Sequence, residues 1–500
     1  MVPRTTDVLI IGGGPAGSTV AAILAKQGIH ATVLERDVFP RYHIGESLLA
    51  SLIPILDLIG VHQEVKQHGF VHKPGGYFDW GNEKWSFVFD ELKGIPIHSY
   101  QVIRSEFDHI MLKNAAAQGA GVHQNVKVNK VNFDGERPVS ADYHDRASNS
   151  SGTVQFRYLV DCSGRAGIIG KEHLQARRFH HVFKNVAIWS YWKGTNIDGY
   201  GLVGSTRLFS IENGWLWFIP LHNQTFSVGV VLSREQLKAE RADRSIEEVY
   251  ERILRRHREA GKILKDATRG NVSMETDYSY TADKFSGPGY FICGDAACFL
   301  DPLLSTGVHL AMVSALTAGA AITSLIRGEV SEERAANFFE ASYRRAYLRF
   351  LMLVSSFYDL NRGKEDYFLE AKQMATREHT GIDLKRAFIS LVSGAADFND
   401  LRDGNYSDAV TARFAERLRQ NIKIHQTSID VEDAHVKESA QFYDAINGLH
   451  VLSKAEAIDG LYVATHPEIM LAETGEARSA VTGAARSVVA AEKQPLGVAD

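Results

Sequence analysis

One short stretch near the N-terminus constrains the fold more than any other. Asp7 to Ile11 is an apolar run of strand length, and it leads into Gly12-Gly13-Gly14-Pro15-Ala16-Gly17, which contains G-x-G-x-x-G. Ser18 to Gln27 then reads as a helix ending near Gly28, and Ala31 to Leu34 as a second strand ending in Glu35. Alone, G-x-G-x-x-G is a weak signal. Strand, glycine turn, helix, strand and acid in this order form the unit that binds a dinucleotide, and the plain alternative is a βαβ unit without ligand. Gly12 permits the tight turn, Gly14 lets backbone approach a diphosphate, and Gly17 lets the helix pack close to the strand. The free N–H groups and dipole at the helix start favour the diphosphate. Glu35 stands where a carboxylate accepts from ribose hydroxyls.

Three later segments enlarge the ligand. Tyr290 to Cys293 reads as a buried strand running into Gly294-Asp295-Ala296-Ala297. Tyr158 to Val160 ends in Asp161-Cys162-Ser163-Gly164-Arg165, and Val102-Ile103-Arg104-Ser105-Glu106-Phe107-Asp108 opens another helix. An acid at a strand end beside a helix N-terminus suits a polyol such as the ribityl chain of a flavin. Each piece alone is an ordinary turn; together they point to one large cofactor.

Composition removes other classes. A length of 500 residues implies two or three domains at roughly 100–200 residues each. The formal charge of −5 gives no electrostatic reason to expect nucleic acid or an anionic membrane as partner. The three cysteines, Cys162, Cys293 and Cys298, form no C-x-x-C pair. That argues against a disulfide framework or a cysteine zinc site and fits reduced thiols in the cytoplasm. The histidines, His180-His181 among them, lack ligand spacing, so no metal is expected. The apolar run before Gly12 is too short for a signal peptide. His309 to Leu325 is short for a spanning helix and carries Ser314, Thr317, Gly319, Thr323 and Ser324, so it reads as a buried helix.

The glycine turn, Arg104 in its V-x-R-x-x-F-D setting, D-C-S-G and G-D-A-A together resemble the flavoprotein monooxygenase superfamily. The resemblance covers roughly residues 5 to 330. It implies an α/β fold: a discontinuous Rossmann-like FAD-binding domain in residues 1–330, interrupted by a β-sheet substrate part at about 70–100 and 180–270. A mostly helical region fills 331–500. Trp80 to Phe89 and Asn185 to Ser233 match the inserted sheet, with a hairpin signal at Asn213-Gly214. The implied FAD contacts are Gly12, Gly14, Ala16, Gly17, Glu35, Arg104, Asp295 and Val308. Glu46 and Ser47, in His43-Ile44-Gly45-Glu46-Ser47, are expected near the isoalloxazine ring.

Three motifs narrow the resemblance to flavin-dependent halogenases. Gly214-Trp215-Leu216-Trp217-Phe218-Ile219-Pro220 contains W-x-W-x-I-P. Period-two alternation puts Trp215 and Trp217 on one strand face. In this family they form a wall that keeps the flavin from oxygenating the substrate directly. Phe299-Leu300-Asp301-Pro302-Leu303-Leu304-Ser305-Thr306-Gly307 resembles the family's F-x-x-P-x-x-S-x-G stretch, which implies chloride at Thr306 and Gly307. Backbone N–H groups at a helix start suit an anion, and a helix cap by Ser305 or Thr306 is compatible with that role. Gly69 to Phe78 matches a lysine-bearing stretch of phenol-type members and assigns a catalytic role to Lys73. A lone lysine is more often a solvated charge. Lys66 and Lys84 lie nearby without the flanking pattern.

The resemblance implies a FADH2- and O2-dependent enzyme that oxidises chloride or bromide to hypohalous acid. Lys73 then relays the halogen to an electron-rich ring. No acid lies between Leu303 and Ala311, which favours a phenol over an indole. Tyr77 to Gly81 with Trp85 to Phe87 looks more like the carrier-dependent, tyrosyl-type members. The expected partners are a separate flavin reductase and either a small phenol or an acyl or peptidyl carrier protein bearing one. The alternatives are an aromatic hydroxylase on the same scaffold, a flavin-dependent reductase of isoprenoid chains, and a non-enzymatic flavoprotein.

After Arg327 the chain reads as helical. Phe338, Phe339, Tyr343, Tyr347, Phe350, Leu351 and Phe357 form an aromatic stripe, either a core face or a wall over the substrate opening. Charged helices are expected around Asp408 to Gln420 and Val431 to Asn447, and a disordered tail beyond Glu473.

Overall fold

The computed structural model describes residues 1–92, 96–179, 184–276, 279–358, 363–374, 384–403, 410 and 460–473. The expected helices around Asp408 to Gln420 and Val431 to Asn447, apart from Val410, and the chain beyond Glu473 lie outside these residues.

Thr5–Ile11 sits in the middle of an eight-stranded sheet, parallel to Ala31–Glu35 on one side and to Ser150–Asp161 on the other. Gly121–Gln124 extends the sheet past Ala31–Glu35, and Tyr290–Ile292 extends it past Ser150–Asp161. Strands from three separated parts of the chain therefore build one module. Val8, Leu9 and Ile10 are fully buried, as expected of a parallel strand covered by helices on both faces. The Pro15–Lys26 helix covers one face and packs on the 22-residue Thr306–Arg327 helix. That second helix is apolar and buried along nearly its whole length. It is a core helix: a Cβ built on its Gly319 would stand 2.8 Å from Ile23 Cγ2.

A second eight-stranded sheet draws on Gly75–Trp80, Glu83–Val88, Asn185–Lys193, Thr206–Ile211, Gly214–Pro220, Thr225–Ser233, Thr268–Arg269 and Ser273–Thr276. Asn213 turns its hairpin with φ of 58°, a conformation that asparagine tolerates. Alternate residues face opposite ways. Trp189, Trp215, Trp217 and Ile219 join the main core, whereas Ile188, Leu216, Phe218 and Val228 pack with Val249, Tyr250, Ile253 and Leu254 of the Ile246–Arg256 helix. The sheet thus presents its tryptophan face to the nucleotide-binding module.

The 26-residue Glu332–Phe357 helix follows. All seven residues of its aromatic stripe are buried. Phe357 reaches the inserted sheet: its ring lies 5.6 Å from Trp80, and its carbonyl accepts from Trp80 Nε1 at 3.0 Å. Core packing and contact with the inserted sheet are served by one helix. Lys364–Gln373, Leu384–Val392 and Ala395–Asp403 continue the helical region, and the Leu461–Ala464 and Met470–Glu473 strands return against Thr306–Arg327.

Candidate functional site

The glycine turn is shaped for close approach. Gly12 has φ of 101°, and a Cβ there would stand 2.3 Å from Cys162 O. A Cβ on Gly17 would stand 1.9 Å from Gly12 O. The first turn and D-C-S-G are therefore in contact. G-D-A-A joins them, since a Cβ on Gly294 would lie 3.5 Å from the Cβ of Ala16. The Pro15–Lys26 helix begins after Gly14 with no side-chain cap, which leaves its first N–H groups for an anion. Glu35 is buried beside the turn; its Oε2 accepts from Gly13 N at 2.6 Å and its Oε1 from Asp37 N at 2.8 Å. Asp161 holds its own turn by accepting from Ser163 N at 3.0 Å and Ile169 N at 2.7 Å. Three converging turns, a carboxylate at the second strand end and an uncapped helix start fit a diphosphate-linked dinucleotide.

A buried cation sits beside this cradle. Arg104 makes a two-pronged pair with Asp108, Nε to Oδ1 at 2.8 Å and Nη2 to Oδ2 at 3.0 Å. Its Nη1 donates to Ile44 O at 3.0 Å and Gly45 O at 3.3 Å. Burial raises the Asp108 carboxyl, but Arg104 outweighs it and the net shift is downward. Asp295 is different: burial pushes it up to about 6, against the opposing pull of Arg104. Arg41 donates to Asp108 at 3.2 Å, and a Cβ on Gly14 would lie 3.3 Å from its Nη2. No motif in the sequence singled out Arg41.

The residues from Glu46 to Ser51 form a seam between modules. Glu46 is buried, and Tyr191 of the inserted sheet donates to its Oε1 at 2.6 Å. Ser47 Oγ lies 2.9 Å from Thr206 Oγ1 of the same sheet. Leu48 O accepts from Lys73 at 3.0 Å. Ser51 Oγ lies 2.8 Å from His309 Nδ1, and Asp397 lies 2.9 Å from the other ring nitrogen of His309. The side chains of Glu46 and Ser47 thus point at the inserted sheet. Both nitrogens of His309 are occupied, so His309 is a brace.

Lys73 ends the Val71–Lys73 strand and pairs with Ser99. It is 4% exposed, and its ammonium lies 5.9 Å from the centre of the Phe89 ring. Burial draws its pKa down to about 7. Lys84, by contrast, is exposed and paired with Asp79 at 3.1 Å.

Trp215 and Trp217 are buried with ring centroids 5.7 Å apart. Trp217 Nε1 donates to Ser227 Oγ at 3.1 Å and Trp215 Nε1 to Tyr358 Oη at 2.9 Å. Tyr358 in turn donates to Asp301 Oδ2 at 2.7 Å, and burial pushes Asp301 up to about 6. One tyrosine therefore ties the tryptophan strand to the 299–307 loop, a link no local motif reveals. Within that loop Ser305 adopts φ of 60° and its side chain does not cap the helix. Of the two caps the sequence allowed, Ser305 makes none, and Thr306 Oγ1 is buried with no partner. A Cβ on Gly307 would stand 2.8 Å from Phe299. A bare helix start with an unpartnered hydroxyl fits a small anion. Val308 is buried one residue further on.

The three cysteines are free and buried. Burial pushes the Cys162 thiol well up and that of Cys298 to about 12, so neither is a nucleophile near neutral pH. The expectation of no metal needs a correction of its basis. His68, Glu106 and His222, far apart in sequence, bring three ligand atoms within 4.8 Å of one another. Spacing rules read neighbours along the chain and miss such a cluster.

Residues 5–346 match the family model described as FAD binding domain. Tryptophan 2-halogenase of Chondromyces crocatus is 40% identical over 94% of this chain and 94% of its own length. A flavin-dependent halogenase of Armillaria mellea is 37% identical over 79% of this chain and 80% of its own. The structure of the myxobacterial chondrochloren halogenase, an FAD-dependent enzyme, aligns with a TM-score of 0.67 at 34% identity, covering 82% of this chain and 96% of that one. A flavin-dependent brominase aligns with a TM-score of 0.70 at 27% identity, covering 83% and 99%. A nucleotide cradle, an inserted sheet with a tryptophan face and these relatives agree: the chain belongs to the flavin-dependent halogenases and is an FAD-binding enzyme that halogenates an aromatic substrate.

Proposed function

We propose that the enzyme halogenates a phenol-type ring and that Lys73 is its catalytic residue. The observation that carries this reading is the burial of Lys73, with the Leu48 carbonyl as its acceptor among the described residues and a pKa drawn down to about 7. Bound FADH2, with O2, supplies the two-electron oxidation of halide to hypohalous acid. Gly12, Gly14, Ala16, Gly17 and Glu35 would hold the dinucleotide end of the cofactor, with Arg104, Asp295 and Val308 along the flavin, while the Glu46 and Ser47 side chains bond the inserted sheet. Thr306 and Gly307 hold the halide at the helix start. Trp215 and Trp217 separate the cofactor from the ring to be modified and force the oxidant to travel.

Lys73 receives it. As a neutral amine it takes the halogen, releases water and then gives the halogen to the ring. As an ammonium it donates a hydrogen bond to hypohalous acid and orients it. A phenol supports either route because its own oxygen stabilises the charge that develops on the ring. Leu303 to Ala311 offers no carboxylate, and His309 is taken up by Ser51 and Asp397.

A second reading, an indole substrate, is favoured by the name of the Chondromyces crocatus relative, Tryptophan 2-halogenase. A carrier-tethered ring is a third arm, suggested by Tyr77 to Gly81 and Trp85 to Phe87. The test supplies reduced FAD, O2 and chloride or bromide to an activated phenol, to tryptophan and to a carrier protein loaded with a tyrosyl group. Mass spectrometry reads the products. A halogen isotope pattern on a phenol, free or carrier-bound, is expected. Halogenation of tryptophan alone would overturn the phenol assignment, and a product that gains only oxygen would overturn the wall.

A further inference from the structure

Three donors outside the site just described converge on one point. His68 closes the His62–His68 helix, Glu106 lies in the first turn of Arg104–Ala117, and His222 lies in the turn after Gly214–Pro220. His68 Nε2 is 2.6 Å from Glu106 Oε2, and His222 Nε2 is 3.2 Å from the same oxygen. Phe70 packs with both imidazoles, its ring 4.4 Å from that of His68 and 5.3 Å from that of His222. The two histidine rings are 5.5 Å apart. The three side chains are 33%, 36% and 23% exposed, so one side of the cluster meets solvent.

We propose that His68, Glu106 and His222 form a binding site for a divalent transition cation, with zinc as the fitting ion and water as fourth ligand. Two imidazoles and a carboxylate are a borderline-soft donor set that suits zinc. Ligand atoms about 2.0–2.2 Å from a tetrahedral ion stand roughly 3.3 Å from one another. The His222–Glu106 separation is already near that value, and the His68–Glu106 separation opens by well under 1 Å to reach it. Phe70 limits how far either ring moves, and the exposed side leaves room for water. His222 Nδ1 is buried and has no partner, so only Nε2 is presented to the ion. Lack of an acceptor behind that nitrogen weakens a site roughly 10–100-fold, which makes micromolar affinity the expectation. The ion would clamp three segments together: the one leading to Lys73, the helix bearing Arg104 and the strand bearing Trp215 and Trp217. This inference does not depend on the proposed substrate.

The test uses tag-free, full-length protein stripped by a chelator and dialysed. Cobalt is titrated in, its visible bands are recorded, and zinc is added to displace it. One equivalent of cobalt with tetrahedral bands, lost in both His68→Ala and His222→Ala, is expected. Zinc should raise the thermal unfolding midpoint of the wild type and leave that of His222→Ala unchanged. Circular dichroism and retained FAD show that the variants fold; Glu106→Gln, nearly isosteric, serves as a third variant if either alanine variant does not. No stoichiometric cobalt in the wild type at micromolar concentration would overturn the proposal, as would binding that persists in every folded variant. Either result would make the cluster a hydrogen-bonded His–Glu–His group and nothing more.

Discussion

Lys73 is held where an ammonium is least stable. Its folded pKa of about 7 lies below the ordinary lysine value of 10.5, so between those pH values the unfolded chain carries a proton that the folded chain lacks. Stability contributed at this position therefore rises with pH across that window and is smallest below it. A shift of that size corresponds to roughly 5 kcal/mol at most. Lys73→Met should raise the unfolding midpoint while abolishing product, and a midpoint below that of the wild type in thermal denaturation would show that Lys73 is not under strain. Lys73→Ala should retain FAD and still consume reduced flavin, with no halogenated ring detected; product near the wild-type level would remove Lys73 from the mechanism. The pH profile of ring halogenation separates its two roles. A neutral amine acting as carrier makes the rate climb through about pH 7, and an ammonium acting as donor makes it fall. At the helix start, Thr306→Val should raise the halide KM several-fold with little change in FAD binding, read by steady-state kinetics against chloride. The glycine turn, Lys73 and Thr306 could be picked out in the sequence because short motifs carry them. Arg41, Tyr358 and the His68–Glu106–His222 group could not, because their partners lie dozens to hundreds of residues away.

The 299–307 loop and the Gly214–Pro220 strand behave as one element. Tyr358 receives Trp215 Nε1 and Asn185 Nδ2 and gives its own proton to Asp301. Removing that hydroxyl leaves the buried Trp215 Nε1 unsatisfied, at about 1–3 kcal/mol, whereas Asn185 and Asp301 keep a bond to each other at 3.4 Å. Tyr358→Phe should therefore lower the unfolding midpoint by several degrees. Once the wall is free to shift, it should also release more trappable hypohalous acid per product formed. An unchanged ratio of free oxidant to product would mean that the tryptophan wall does not depend on this link. The strands themselves were easier to foresee than their company. Alternation and the Asn213-Gly214 turn marked the hairpin, but nothing local told which face of Asn185–Lys193 meets Glu46 and which meets the Ile246–Arg256 helix.

At the scale of the molecule, one nucleotide cradle serves one flavin. Gly199-Tyr200-Gly201-Leu202-Val203-Gly204 repeats the G-x-G-x-x-G spacing but leads into the Thr206–Ile211 strand, not into a helix, so it lacks the helix start that binds a second dinucleotide, and reduced flavin is expected from a separate reductase. Purified enzyme should consume no NADPH by itself, and steady consumption followed at 340 nm would contradict this. Both modules nonetheless share a single structural member. The Glu332–Phe357 helix, 26 residues, is about 39 Å long. Near its start Arg137 and Gly289 N donate to Glu332. Midway Tyr343 donates to Gly294 O at 3.1 Å, beside the acid turn. At its end the Phe357 ring packs against Phe78 and Trp80 of the inserted sheet. It works as a spacer bar whose length fixes how far the Gly294 turn stands from the inserted sheet. Each added residue would turn the far end by about 100° and advance it by about 1.5 Å. Substitutions along this helix are therefore expected to be tolerated more readily than a change in its length, since an insertion within it would shift the inserted sheet against the nucleotide cradle even with every residue of the cradle intact.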